Sequence, residues 1–260
     1  MTLYRDILSV YQRREVLINL VQADMKLRYR RSVLGYAWSL LHPVLTLAIM
    51  TLVFAKAMNK PPRDYALYVF SGLLPWNFLV SGLWGAGISL ITNEELLKKI
   101  YLPKLIFPIS VTLARFADFI FNLMALFIIV SFISFHPSWA LLLLPAAALL
   151  LFLFISAVAV AVSVINVYIR DTTHLISVLT QLGFYLTPIL YPEKDVPEPF
   201  RFILILNPMT HIVRLFQSIL SEGVVPDAAQ WCIAILVTVT TMVFGYFIFA
   251  RLERKLIFRL

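Results

Sequence analysis

The sequence predicts an all-α integral membrane protein with six transmembrane helices, an N-terminal amphipathic interface helix and re-entrant helices between spans five and six. Three observations predict it. Of 260 residues, 61% are hydrophobic and 14% charged, and the mean hydropathy is +0.87, far from the balance of a soluble domain. Uncharged runs long enough to cross a bilayer, about 20 residues each, recur along the chain. Finally, Lys and Arg gather at the ends of these runs, so the formal net charge of +8 reads as membrane topology and no nucleic-acid partner is expected.

Residues 1–33 form the first expected unit. Leu3, Ile7, Val10, Tyr11, Leu17, Ile18, Val21 and Met25 make a helical apolar stripe, the pattern of a helix lying on the cytoplasmic membrane surface. Arg14 falls inside the stripe, where a long side chain can still carry its charge out to the phosphates. The run Lys26-Leu27-Arg28-Tyr29-Arg30-Arg31 then anchors to anionic headgroups ahead of the first span. Charged residues precede any long apolar run, so no cleavable signal peptide is expected.

Residues 34–250 are the expected six-span transmembrane domain, with spans at about 34–55, 66–92, 105–135, 139–166, 174–190 and 228–250; residues 251–260 are a tail. Both termini then share one side. Counted on that side, Lys and Arg number fifteen, against six in the opposite loops and Arg115 within a span, which places the termini in the cytoplasm. The stretch 200–220 is apolar, but Arg201 and Arg214 interrupt it and Asn207-Pro208 divides it. Each half is too short to cross the hydrocarbon, so it is expected to be re-entrant or interfacial. Asn207 is positioned as an N-cap with Pro208 at the first helical position, and Gly223 as the residue that closes a helix over 209–221.

Chemistry is sparse. Cys232 is a single cysteine, so no intrachain disulfide and no Cys/His metal set are expected. The nearest approach to a phosphate-binding loop, Gly82 to Gly87, is followed by Ile88-Ser89 where a Lys would have to reach the phosphates, and 260 residues leave little room for a fused ATPase. Thr92 with Glu95 three residues on is a capping-box pattern, acids open the segment 93–101 and lysines close it, and Pro103 ends it. A capped helix in a connecting loop suggests a docking surface. Arg115 and Asp118 lie three apart on span three, close enough to pair, and His42 beside Pro43 on span one is a satisfied polar group.

Five ordered segments carry a resemblance. Arg30-Arg31-Ser32-x-Leu34-Gly35-x-x-Trp38 running to Pro43 is the first. Asn93-x-x-Leu96-x-x-Lys99-x-x-Leu102-Pro103-x-x-x-Phe107-Pro108 is the second. Tyr168-Ile169-Arg170-Asp171, then Thr187-Pro188-Ile189-x-Tyr191, then Leu206-Asn207-Pro208 with Arg214 complete the series. Together they resemble the polysaccharide-export permeases of type-2 ATP-binding-cassette transporters across essentially the whole chain, most of all the O-antigen and teichoic-acid exporter subunits of Wzm-like type, with capsule exporters near. Relatives carry Phe-Pro then Leu-Pro where this chain has Leu102-Pro103 then Phe107-Pro108, a conservative exchange.

The resemblance implies a transport subunit of the bacterial inner membrane that performs no covalent chemistry. It implies a homodimer around a path for a lipid-linked polysaccharide, with two ATPase subunits that bind ATP and Mg; no cofactor is expected in this chain. It makes the helix after span two a coupling helix, with Asn93, Glu94, Glu95, Leu96, Leu97, Lys98 and Tyr101 as ATPase contacts and Arg170 and Asp171 as a second contact. Because similar permeases line their conduit with spans one, two and five, Tyr36, Trp38, Trp76, Phe78, Trp84, Tyr185 and Tyr191 are the candidate conduit residues, offering aromatic faces to sugar C–H surfaces. A stand-alone polytopic membrane enzyme would need a carboxylate, His or metal constellation at one membrane face, and a secondary transporter would be expected to show internal repeats. Neither feature is visible.

Overall fold

The computed structural model describes residues 3–29, 61–133 and 138–259, and scattered positions between 35 and 53. The described residues form α-helices joined by short turns, with no strand among them. Helix α1 is Leu3–Gln12 and α2 is Arg14–Tyr29, so the expected single N-terminal helix is broken at Arg13, whose amide is held by Ser9 and Val10 carbonyls at 3.3 and 3.1 Å. The long helices are α3 (Pro62–Thr92), α5 (Ile106–Ile133), α6 (Leu144–Tyr168, led in by a 3-10 turn from Trp139) and α10 (Ala228–Leu252). Between them lie α4 (Glu94–Lys99), α7 (Thr172–Leu186), α8 (Arg201–Leu206) and α9 (Pro208–Gln217, continued by a π turn to Glu222).

Among the described residues, four stretches are long and apolar enough to cross a membrane: Asp64–Thr92, Ile106–Phe127, Trp139–Tyr168 and Ala228–Leu256. The helices at 198–206 and 208–222 make a fifth if counted as one element, bent by 93°. That bend falls at Asn207-Pro208, where the Asn207 side chain accepts from the Met209 amide at 3.0 Å and starts a new helix. Gly223 closes that helix at φ +65°, a left-handed cap suited to glycine. Expected span five is shorter as a helix than its apolar run: α7 has fifteen residues, a rise of about 22 Å, and Thr187 continues in extended backbone ahead of Pro188. Most of expected span one, Tyr36 and His42 included, lies outside the described residues; Trp38, Leu41, Val44, Leu45, Thr46, Ala48, Ile49, Leu52 and Val53 are helical.

Two buried clusters order the bundle. One joins α3, α5, α6 and α9 through Phe70, Phe78, Phe119, Leu151, Ile155 and Phe216. The other lies at the end of the bundle where α3 finishes and α5 begins, and joins Val10, Leu90, Leu97, Phe107, Val164, Phe249 and Leu256. Helices α6 and α10 pack so closely that a Cβ on Gly245 would stand 2.3 Å from the Ala157 carbonyl oxygen, the backbone approach that small residues permit between membrane helices.

Candidate functional site

Three places bear on function, each built by different elements. The first is the end marked by α4. Helix α3 runs on through Thr92, so Asn93 becomes the N-cap of α4 and the expected Thr92–Glu95 capping box does not form. The Asn93 side chain turns back to donate to the Ser89 carbonyl at 2.8 Å, and Glu95 pairs forward with Lys99 at 3.1 Å. Glu94 pairs with Lys98 in the same i,i+4 register, acids toward the N-terminus as the helix dipole favours. Leu97 is buried and fixes α4 to the bundle, while Leu96, Ile100 and Tyr101 face outward, Tyr101 89% exposed. An apolar patch rimmed by two ion pairs is the composition of a docking surface.

Arg170 and Asp171 are exposed at the turn between α6 and α7. This turn belongs to the same end of the bundle, since Val167 and Tyr168 join the cluster that holds Leu97, and Tyr168 Oη donates to the Leu252 carbonyl at 2.7 Å. Asn166 donates to the Gly87 carbonyl at 2.7 Å and ties the end of α6 to α3.

The second place is a groove of about 370 Å³ between α3 and α7. Trp76, Trp84 and Tyr185 line it together with Asn77, Thr180 and Gln181. Trp76 meets Phe184 edge-on at 6.0 Å, and Phe184 meets Tyr185 at 5.4 Å, so the aromatic wall is held by its own contacts. Tyr191 donates to the Tyr185 carbonyl at 2.7 Å and braces the end of the groove; burial raises its phenol above the ordinary range. Phe78 turns the other way, 2% exposed and stacked on Phe119 at 5.6 Å, because it stands on the core face of α3. Trp38 is half exposed, and Tyr36 lies outside the described residues.

The third place is a charge cluster. Arg115 and Asp118 on α5 stand 3.9 Å apart, but their shorter contacts are to α2. Arg115 pairs with Asp24 at 3.0 Å, Arg28 pairs with Asp118, and Arg28 pairs with Asp24 at 2.9 Å. Two acids and two arginines thus balance, and the pair expected on span three is half of a four-charge joint. Burial pushes the Asp24 carboxyl above its ordinary range, and Arg28 pulls it back. Sequence reading missed Asp24 and Arg28 because they sit on a segment whose basic run suffices to explain the charge; Asp24 to Arg28 at i,i+4 was the available signal.

The ABC-2 type transporter family matches residues 15–221. The chain is 31% identical to the O-antigen export system permease protein RfbA of Myxococcus xanthus over 222 residues, 85% of each chain. It is 28% identical to the protein of the same name from Klebsiella pneumoniae, over 81% of this chain and 82% of that one. It is also 20% identical to the polysialic acid transport protein KpsM of Escherichia coli, over 90% and 92%. The chain belongs to the ABC-2 type transporter membrane family, and it is a multi-pass membrane protein.

Proposed function

We propose that the chain is the membrane-spanning subunit of an ATP-driven exporter that moves a lipid-linked, O-antigen-like polysaccharide from the cytoplasm to the periplasm. The observation that carries this reading is the likeness to O-antigen export permeases over 85% of the chain, and the groove between α3 and α7 supports it. Two copies enclose the path, each with six spans and with α1 and α2 as the interface segment, and both termini lie on the cytoplasmic side of the inner membrane. Each copy docks a separate ATPase subunit, which binds ATP and Mg, on the patch of Leu96, Ile100 and Tyr101 with Arg170 and Asp171 alongside.

In this reading the chain's own residues do mechanical and not covalent work. Helix α4 is fixed to the bundle through Leu97, so a displacement of α4 by the ATPase is delivered to the ends of α3 and α5. The groove offers the exposed Trp84 and Tyr185 as platforms for sugar C–H faces, backed by the buried Trp76, and Asn77 and Gln181 for hydroxyls, weak contacts that let a polymer slide.

The test is affinity purification of the tagged chain co-expressed with candidate ATPase subunits, followed by native mass determination and an ATPase assay. Two copies with two ATPase chains, hydrolysing ATP, is the expected result. A chain recovered alone with every candidate overturns it.

A further inference from the structure

A cavity of about 630 Å³ lies at the end of the bundle opposite α4, within the roughly 300–1,000 Å³ of small-ligand sites. Its walls come from the start of α3, the loop after α7, the π turn that continues α9 and the start of α10. The loop wall is pinned. Gln217 donates to the Pro188 carbonyl at 2.7 Å, Tyr65 donates to the Leu190 carbonyl at 2.9 Å, and the Tyr68 hydroxyl lies 2.9 Å from the Tyr191 carbonyl. Arg214, the cation on α9, is engaged by Glu193.

What these contacts leave facing the cavity is rich in acceptors. Asp64 and Glu222 bring carboxylates, and Ser218 and Ser221 bring hydroxyls that serve either way. Gln230 lines the cavity as well, but its side-chain oxygen is turned away from solvent. A ligand that meets the carboxylates of this wall does so by donating. Neutral sugars donate through every hydroxyl, whereas an ionised phosphodiester or carboxylate only accepts and meets three carboxylates, Glu193 included, against the cations Lys194 and Arg214 among the described lining.

We propose that this cavity is a docking subsite for a neutral, hydroxyl-bearing stretch of the emerging glycan, outside the α3–α7 groove. The proposal rests on the export reading and deepens it, since it selects a neutral polymer over a phosphate-bridged one.

The test labels the intact chain in lipid nanodiscs with a polar maleimide. Cys232, which is exposed, is replaced by Ser, and Ser221→Cys places a thiol in the cavity. Neutral hexose trisaccharides of gluco, galacto and manno type, each at tens of millimolar, are the probes, and a glycerol-phosphate trimer is the comparison. Slowing of Ser221→Cys labelling by at least threefold with one of the trisaccharides, none with the trimer, and loss of that protection when Gln230→Ala and Asp64→Asn are added is the expected result. Labelling unchanged by all three sugars, or slowed as much by the trimer, overturns the subsite. Restoration of surface polymer in cells deleted for the chain is read in parallel. Export restored by the wild-type chain without any sugar protection sinks the cavity and leaves the export reading standing, whereas failure to restore export removes the ground for both.

Discussion

Arg115 on α5 donates to Asp24 on α2 at 3.0 Å across 91 residues of sequence, and Arg28 closes the circuit between Asp24 and Asp118. A segment otherwise suited to float on a membrane surface is thereby locked to a long apolar helix at a fixed register. The side chains are 13% and 28% exposed, between the surface and fully buried cases. Asp24→Ala is therefore expected to cost about 1–2 kcal/mol, more than an exposed pair and less than a dry one. Because each arginine keeps a second acid, Arg115→Gln with Asp24→Asn should cost less than the two changes summed, as read by thermal unfolding in detergent. Strict additivity would show that the two residues do not act as a pair.

Gly245 and Ala157 make a second prediction. With the Ala157 oxygen 2.3 Å from the position of a Cβ, Gly245→Ala forces α10 away from α6 and is expected to destabilise by about 1–3 kcal/mol. Gly87→Ala is the companion. There a Cβ would meet Val162 at 3.4 Å, an ordinary contact, and alanine favours the helix by about 1 kcal/mol. The melting temperature should fall for the first and hold or rise for the second.

Long apolar runs made four of the helices legible, since nothing but a span satisfies so many backbone groups in hydrocarbon. The bend at Asn207-Pro208 and the Gly223 cap were equally legible, because each depends on one residue's own geometry. Partner choice was not. Arg115 and Asp118 sit at helical spacing, yet both find shorter contacts on α2, and no local pattern records a neighbour 90 residues away. The Thr92 cap failed for a related reason: local chemistry favoured a helix start there, but α3 carried on through it. Of the aromatic residues chosen for a conduit, Trp84 and Tyr185 are exposed in one groove, Trp76 lines it but is itself buried in the core cluster, and Phe78 enters the core. The flat hydrophobicity of a span hides which face is which, and only helix packing resolves it.

Asn207 carries two jobs at the bend. Its side-chain oxygen accepts from Met209, and its amide donates to Thr187 Oγ1 at 2.8 Å. Asn207→Ala loses both and should cost about 1–2 kcal/mol, while Asn207→Asp keeps the cap and loses only the bridge to the α7 loop. Hydrogen exchange at Met209 and Thr210 separates them: faster exchange is expected for the alanine variant and near-native exchange for the aspartate.

The groove gives a contrast within α3. Trp84 is 52% exposed and Phe78 is buried, so truncating each to alanine should act on different quantities. Trp84→Ala is expected to leave the melting temperature within about 2 °C, near what a surface change allows, and to slow polymer export. Phe78→Ala is expected to cost about 3–5 kcal/mol through the cavity it opens. Export rate normalised to folded protein in the membrane checks both, and a Trp84→Ala exporter running at the wild-type rate would remove the groove from the path.

The docking patch yields the most direct comparison, because the buried side of α4 and the exposed turn that follows it should separate cleanly. Leu97 is 7% exposed and joins the cluster beneath α4, whereas Tyr101 is 89% exposed and touches little. Leu97→Ala is expected to destabilise the isolated chain by about 2–4 kcal/mol. Tyr101→Ala should leave its melting point unchanged yet weaken ATPase-subunit binding at least tenfold, about 1.4 kcal/mol, the loss of an aromatic anchor in an interface. Glu95→Lys breaks only the exposed pair with Lys99, a matter of a few tenths of a kcal/mol for the helix, so any larger effect on ATPase binding comes from the partner's surface. Titration of the labelled ATPase subunit onto each variant in nanodiscs measures this. Equal affinities for wild type, Tyr101→Ala and Glu95→Lys would move the docking surface away from α4.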